Sequence, residues 1–252
     1  MKEWLWISGI IAVESVLEAN SREVRGIHVS HDRFDSRIVR LNKLARERRV
    51  PIHEQREDFI DAATGAKGHG GVAAEVGPRR MTPLPELAVG EKPVVVMLDG
   101  VEDPFNFGQA VRSLYAAGID GLVVRPRNWL SVGPVVRASA GATELMPTAE
   151  AESVGVAIEH FRERGFRIGA ATATMAEPMG QVDLAGPFLL IIGGERRGIT
   201  RSLLRAVDVR VSIPYGRPFP HELGTAFAAT VLAFEVLRQR QGTGAPGLAG
   251  ER

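Results

Sequence analysis

A chain of 252 residues, 44% hydrophobic and 24% charged, holds enough apolar material for two packed domains of ~100–150 residues, and its composition excludes wholesale disorder. The lack of cysteine removes disulfides, thiolate zinc sites and cysteine nucleophiles together, as expected of a cytoplasmic protein, and we expect no metal. The net charge of +1 hides a clustering of basic residues, mostly arginine, in "RIVRLNKLARERR" and "RPRNW"; such clusters suit phosphate, or else form a solvated helix face.

The N-terminal "MKEWLWISGIIAVESVL" is apolar, but Glu3 and Glu14 interrupt it and no small-residue cleavage site follows. A targeting segment is therefore not expected, and no apolar run approaches the ~20 residues needed to span a bilayer. Residues 1–76 read as a small α/β unit. A helix is predicted over 8–19, with Ile10, Ile11, Val13, Val16 and Leu17 on one face, then a strand in "VRGIHVS". In "SRIVRLNKLARERR" Ile38, Leu41, Leu44 and Ala45 recur at helical spacing, while Arg37, Arg40, Lys43 and Arg46 line another side. One face packs, and the other is strongly positive. The glycine-rich "ATGAKGHGGVAAEV" runs into a short strand, but it lacks the Gly-Lys-Ser/Thr ending of a phosphate loop. His69 within it is either a ligand contact or a solvated loop residue. Residues 77–92, rich in proline and without periodicity, are expected to link two domains.

From Pro93 onward strands and helices alternate. "VVVMLD", "GLVVRP", "FRIGAATAT", "FLLIIGG" and "VRVSIP" read as strands, several of them apolar throughout, as strands buried on both faces are. Helices are predicted over 107–117, 133–141, 151–164, 199–206 and 222–239. The alternation implies a parallel sheet covered on both sides, so the fold class is α/β. The Gly-rich residues 241–252 are expected to be a disordered tail.

Ligands of open parallel sheets sit where strands end and helices begin. Three such junctions have unusual composition. In "LDGVEDPFNFGQAVRSLYAAG" Asp103-Pro104 makes a turn and Asn106 is placed to cap the helix. Ala110, Val111, Leu114 and Ala117 form the packing stripe, leaving Gln109, Arg112 and Ser113 opposite. Arg112 has no packing role. "LLIIGGERRGIT" ends a strand on paired glycines, which let a ligand approach the backbone. "VSIPYGRPFPHELGTAFAATVLAFEV" joins a strand to a helix of small residues able to pack closely within the chain or across a dimer.

Taken in order, these junctions resemble the SpoU/TrmH-type RNA 2'-O-ribose methyltransferases of the SPOUT superfamily. The first is similar to motif 1, Asp-Pro-x-Asn-x-Gly with an Arg four residues after the Gly; the second resembles motif 2, and the third stands in the place of motif 3. Upstream, "ISGIIAVESVLE" and "GHGGVAAEV" resemble parts of an L30e-like RNA-binding domain. The resemblance implies an L30e-like substrate-binding domain over 1–76 and, over 93–240, a SPOUT methyltransferase domain with a trefoil knot, an exception to the rule against knotted chains.

It also implies bound S-adenosylmethionine, a homodimer, and an rRNA or tRNA substrate held in part by Arg37, Arg40, Lys43 and Arg46. Thr172, Gly193, Gly194, Ile213 and Leu223 would contact the cofactor. Arg112 would hold a phosphate and stabilise the developing 2'-alkoxide, or act as base; Asn106 and Glu195 would orient it. Motif 3 departs from the family pattern. Ser-Leu-Asn followed by Val-Ser is replaced by His221-Glu222-Leu223 and then Gly224-Thr225; the Thr225 hydroxyl is a candidate to replace the missing one, and His221 or Glu222 a candidate to act on the proton. Two readings follow: RNA 2'-O-methylation, or an RNA-binding protein on the same scaffold without turnover. An unrelated nucleotide-binding α/β enzyme is disfavoured by the missing phosphate loop.

Overall fold

The structure, a computed structural model, describes residues 4–33, 36–65, 67–126, 133–194 and 198–242. It divides into two compact units, one of Met1–Arg80 with Arg127–Leu145, the other of Met81–Pro126 with Met146–Arg252. The first unit begins with β1 (Leu5–Ser8), α1 (Ile10–Ala19), β2 (Val24–Ser30), α2 (Ser36–Arg48), β3 (Ile52–Gln55), α3 (Glu57–Thr64) and β4 (Val72–Val76). Its sheet has the order β1-β4-β2-β3, with β2 and β3 parallel and joined through α2. Alternation sends Ile7, Ile27, Val29, Val72, Ala74 and Val76 to one face, where they meet Val13, Val16 and Leu17 of α1 and Leu41 and Ala45 of α2. None of β1, β3 and α3 is anticipated above: four-residue strands are too short for alternation to register, and α3 is a helix of barely two turns.

The glycine-rich loop before β4 is fastened from within. His69 is 1% exposed; its Nδ1 accepts the Gly71 N–H at 2.9 Å, which leaves the proton on Nε2 to reach Asp61 Oδ1 at 2.8 Å. Both nitrogens are used. His69 is thus a structural pin, neither solvated nor free to take a ligand.

In the second unit β5 (Val94–Asp99) leads through α4 (Pro104–Ala116) to β6 (Gly121–Val124). The chain then returns to the first unit for α5 (Gly133–Ala138) and α6 (Ala142–Leu145), where Val136 joins the core. Glu144 arrives with them. Its carboxylate is gripped by Arg22, Nε to Oε2 and NH2 to Oε1, each at 3.0 Å, and by the Ser21 hydroxyl at 2.6 Å. Both side chains of the ion pair are 0% exposed. Arg79 lies close by, and burial lowers its guanidinium pKa while the Glu144 charge opposes that shift.

The second unit continues with β7 (Thr148–Glu150), α7 (Val154–Glu163), β8 (Arg167–Ala171), β9 (Glu177–Pro178), β10 (Phe188–Gly193), α8 (Arg201–Ala206), β11 (Val209–Ser212) and α9 (Thr225–Gly242). The seven strands take the order β7-β6-β5-β10-β8-β11-β9, all pairs parallel. Val95, Met97, Leu189 and Ile191 face a core completed by Ala157, Ile158 and Phe161 of α7. Leu87 and Ala88 join that core too, so the stretch expected to link two domains is in part a packed segment of the second unit. α4 and α9 pack on one another, and α9 also meets β10. The tail expected from 241 begins as helix through Gly242; 243–252 lie outside the described residues.

Candidate functional site

In a parallel sheet every strand ends at the same edge. β5 and β10 are neighbours in register, Gly193 opposite Asp99. Just past that register the Gly194 N–H donates to the Asp99 carbonyl at 2.7 Å. The crossing is too close for any side chain: a Cβ on Gly194 would stand 1.9 Å from the Gly100 oxygen, and one on Gly193 2.6 Å from the Gly198 carbonyl carbon. The paired glycines are therefore demanded by backbone contact. Gly198 closes the loop by donating to the Gly194 carbonyl at 3.0 Å. Glu195, assigned an orienting role by resemblance, lies outside the described residues.

The helix that follows β5 is capped differently from expectation. Asp103, not Asn106, is the cap: its Oδ1 accepts the Asn106 N–H at 2.7 Å, with Pro104 in the first turn. Asn106 supplies the backbone donor instead. Ala110, Val111 and Leu114 are 0% exposed and Ala117 is buried, whereas Gln109 and Arg112 are exposed. Ser113, next to Arg112, has its hydroxyl 2.7 Å from that of Thr230, which joins α4 to α9.

The third junction is tied to the second. Thr225, the buried first residue of α9, donates its hydroxyl to the Gly193 carbonyl at 3.0 Å. The loop before it is organised by a phenol that periodicity gives no reason to single out: Tyr215 donates to the His221 carbonyl at 3.2 Å and accepts the Leu223 N–H at 3.0 Å. Thr172, past the end of β8, donates its N–H to the Val211 carbonyl at 2.9 Å, and Ile213 is half-buried one residue past β11. Thr172, Gly193 and Ile213 thus follow or end the adjacent strands β8, β10 and β11 at one sheet edge. Leu223 is exposed.

Of the four basic residues singled out on α2, all are exposed. Arg40 is engaged by Glu18 and, at 3.8 Å, by Glu14, so its charge is partly spent inside the protein. Among the described residues no group of three or more His, Cys, Asp or Glu is placed to hold a metal, and no helix is long and apolar enough to cross a membrane.

The profile of the SpoU rRNA methylase family matches residues 93–232. The chain belongs to that family. A second profile, RNA 2'-O ribose methyltransferase substrate binding, matches residues 6–82. The 23S rRNA (guanosine-2'-O-)-methyltransferase RlmB of Pseudomonas putida is 32% identical over 241 residues, spanning 93% of this chain and 96% of its own. The AdoMet-bound rRNA methyltransferase from Sinorhizobium meliloti superposes with a TM-score of 0.78 at 22% identity, covering 93% of this chain and 87% of that one. The SpoU methyltransferase AviRb from Streptomyces viridochromogenes, in complex with AdoMet, gives 0.79 at 22% identity over 95% and 91%. The α/β fold, with its parallel sheet preceded by a small domain, is that of SpoU methyltransferases.

Proposed function

We propose that this protein is an S-adenosylmethionine-dependent RNA 2'-O-methyltransferase of the cytoplasm, with ribosomal RNA as its substrate class. One observation carries the reading most directly: the Gly194–Asp99 and Thr225–Gly193 hydrogen bonds gather all three family motifs at one edge of the sheet. The relative from Pseudomonas putida is named for 2'-O-methylation of a 23S rRNA guanosine, which favours rRNA over tRNA.

The backbone offers a fit for the cofactor. Thr172, Gly193, Gly194 and Ile213, at the ends of adjacent strands, and Leu223, in the loop before α9, would hold it mainly through main-chain groups. Bound S-adenosylmethionine supplies a methyl group already activated on a sulfonium, which leaves the protein to align the acceptor and manage one proton. Arg112 lies exposed on α4. Its guanidinium holds a substrate phosphate and stabilises the oxygen as negative charge grows there. A guanidinium is a poor base, so the 2'-hydroxyl proton passes to a motif 3 side chain, Glu222 or His221, or to water. Asn106 and Glu195 orient Arg112, and Thr225 takes over the fastening of motif 3.

The first unit selects RNA through Arg37, Arg40, Lys43 and Arg46, and the affinity is accordingly salt-dependent. The working form is a homodimer. Supporting this, α4 and α9 expose Phe105 (58%), Tyr115 (42%), Phe227 (64%) and Phe234 (47%), an apolar area of the kind a second copy covers. The family resemblance further assigns a trefoil knot to the segment that includes β10, β11 and α9. Incubation with methyl-labelled S-adenosylmethionine and transcribed 23S rRNA tests the reading. Label in a 2'-O-methylated nucleotide is expected; cofactor and RNA binding without transfer to 23S or total cellular RNA would favour the scaffold without turnover.

A further inference from the structure

Between the proposed cofactor contacts Ile213 and Leu223, the loop from β11 to α9 carries aromatic rings that holding the cofactor leaves unexplained. Tyr215 and Phe219 lie with ring centroids 6.3 Å apart, and Phe219 and His221 lie 5.2 Å apart at 73°. These rings are not core. Tyr215 is 40% exposed, Phe219 59%, and His221 is exposed as well. Arg217, between them in sequence, is exposed and has no ion-pair partner among the described residues. A floppy loop would bury such rings against the body of the protein or let them wander. Here Pro214, Pro218 and Pro220 restrict the backbone, and the Tyr215 hydroxyl bridges the His221 carbonyl and the Leu223 N–H. The Tyr215 ring is held in place, and the backbone that carries Phe219 and His221 is restricted.

Their location decides their use. Leu223 is two residues from Thr225, whose hydroxyl is bonded to Gly193, so the ring cluster borders the sheet edge where the proposed reaction takes place. RNA recognised in single-stranded loops presents splayed-out bases, and an unstacked base needs a new flat neighbour. Aromatic rings on the same short loop as an exposed arginine meet that need, by stacking and by phosphate attraction. We propose that Tyr215, Phe219 and His221 form a stacking surface for an unstacked base of the RNA substrate, with Arg217 holding the adjoining phosphate; the assignment rests on the RNA methyltransferase reading. The rival occupant, a second copy of this chain, is separated by the test below.

Phe219→Ala and Phe219→Trp are compared with wild type as full chains, by steady-state methyl transfer to transcribed 23S rRNA, calorimetry with S-adenosylmethionine, and sedimentation. Phe219→Ala is expected to raise KM for RNA about tenfold, the scale of one lost stacked base, with cofactor affinity and molecular mass unchanged; Phe219→Trp should restore wild-type KM. An unchanged KM in Phe219→Ala, or a loss that tracks dimer dissociation, overturns the proposal. If wild type transfers no methyl group, the activity reading fails on its own. A 2-aminopurine-labelled single-stranded oligoribonucleotide then decides the surface: quenching by wild type that Phe219→Ala loses supports stacking, and equal or absent quenching overturns it.

Discussion

The Thr225 hydroxyl donates a 3.0 Å hydrogen bond to the Gly193 carbonyl, fastening the first residue of α9 to the last residue of β10. Thr225 is 4% exposed, so water does not readily replace it. Thr225→Val keeps the shape and removes the donor, leaving a carbonyl unpaired at a cost of roughly 1–3 kcal/mol. Denaturant titration should show that loss, calorimetry should show weaker S-adenosylmethionine binding, and Thr225→Ser should restore both.

Arg112 should behave in the opposite way, with chemistry affected and stability spared. Its exposure places Arg112→Ala among surface changes worth about ±0.5 kcal/mol. Methyl transfer should fall by roughly 10²–10³-fold if the guanidinium stabilises developing charge. Retained turnover would remove Arg112 from the site.

Gly194→Ala tests the backbone crossing. A Cβ there would stand 1.9 Å from the Gly100 oxygen, and neither partner is a side chain that can swing away. The expected outcome is a loss of about 1–3 kcal/mol from overpacking, together with lost cofactor binding in calorimetry, because the same crossing shapes the loop.

Removing one member of the buried Arg22–Glu144 pair leaves the other charged and desolvated. Glu144→Leu or Arg22→Met should each cost about 3–5 kcal/mol. The double change Arg22→Met with Glu144→Leu should cost less than the two single losses added together, the remaining cost falling on Arg79, which loses the Glu144 charge beside it; equilibrium unfolding of the four proteins measures the coupling.

His28 predicts an acid sensitivity in the first unit. Burial, reinforced by the neighbouring His53 and opposed by Glu75, holds its pKa below the ordinary value of 6.5. The unfolded chain then binds the proton more readily, so the stabilisation is intact above about pH 6.5 and declines as pH falls below it. Its Nδ1 is buried with no hydrogen-bond partner among the described residues, and the ring lies against Trp6, His53 and Phe59. His28→Phe should keep the packing and flatten the decline between about pH 7.5 and 5, read by hydrogen exchange along β2.

The long elements were legible because their causes are local. Five apolar runs and the helices between them carry period and length enough to be read, and Val94–Asp99 and Phe188–Gly193 coincide with "VVVMLD" and "FLLIIG". The short strands β1, β3, β7 and β9 have too few residues to show a pattern, and pairing alone defines them. Capping was half legible: the Asp-Pro turn was visible, but whether Asp103 or Asn106 reaches the free amide depends on where the helix starts. The tie between Thr225 and Gly193 joins residues 32 positions apart, and no local pattern announces it. Arg112 stood out for a simpler reason, an unexplained charge on an otherwise ordinary helix.

The return of residues 133–145 to the first unit bears on how such a protein can be cut, recombined or inherited. Val135 and Val136 are 0% exposed, and Glu144 neutralises a sealed-in Arg22. A chimera joined at one point near residue 80 would import a first unit stripped of its own wedge and counter-charge, and would bring a foreign wedge in its place. Exchange of the first unit between relatives therefore requires a two-piece transplant, so recombination at a single breakpoint is a poor route to a replaced first unit in this architecture.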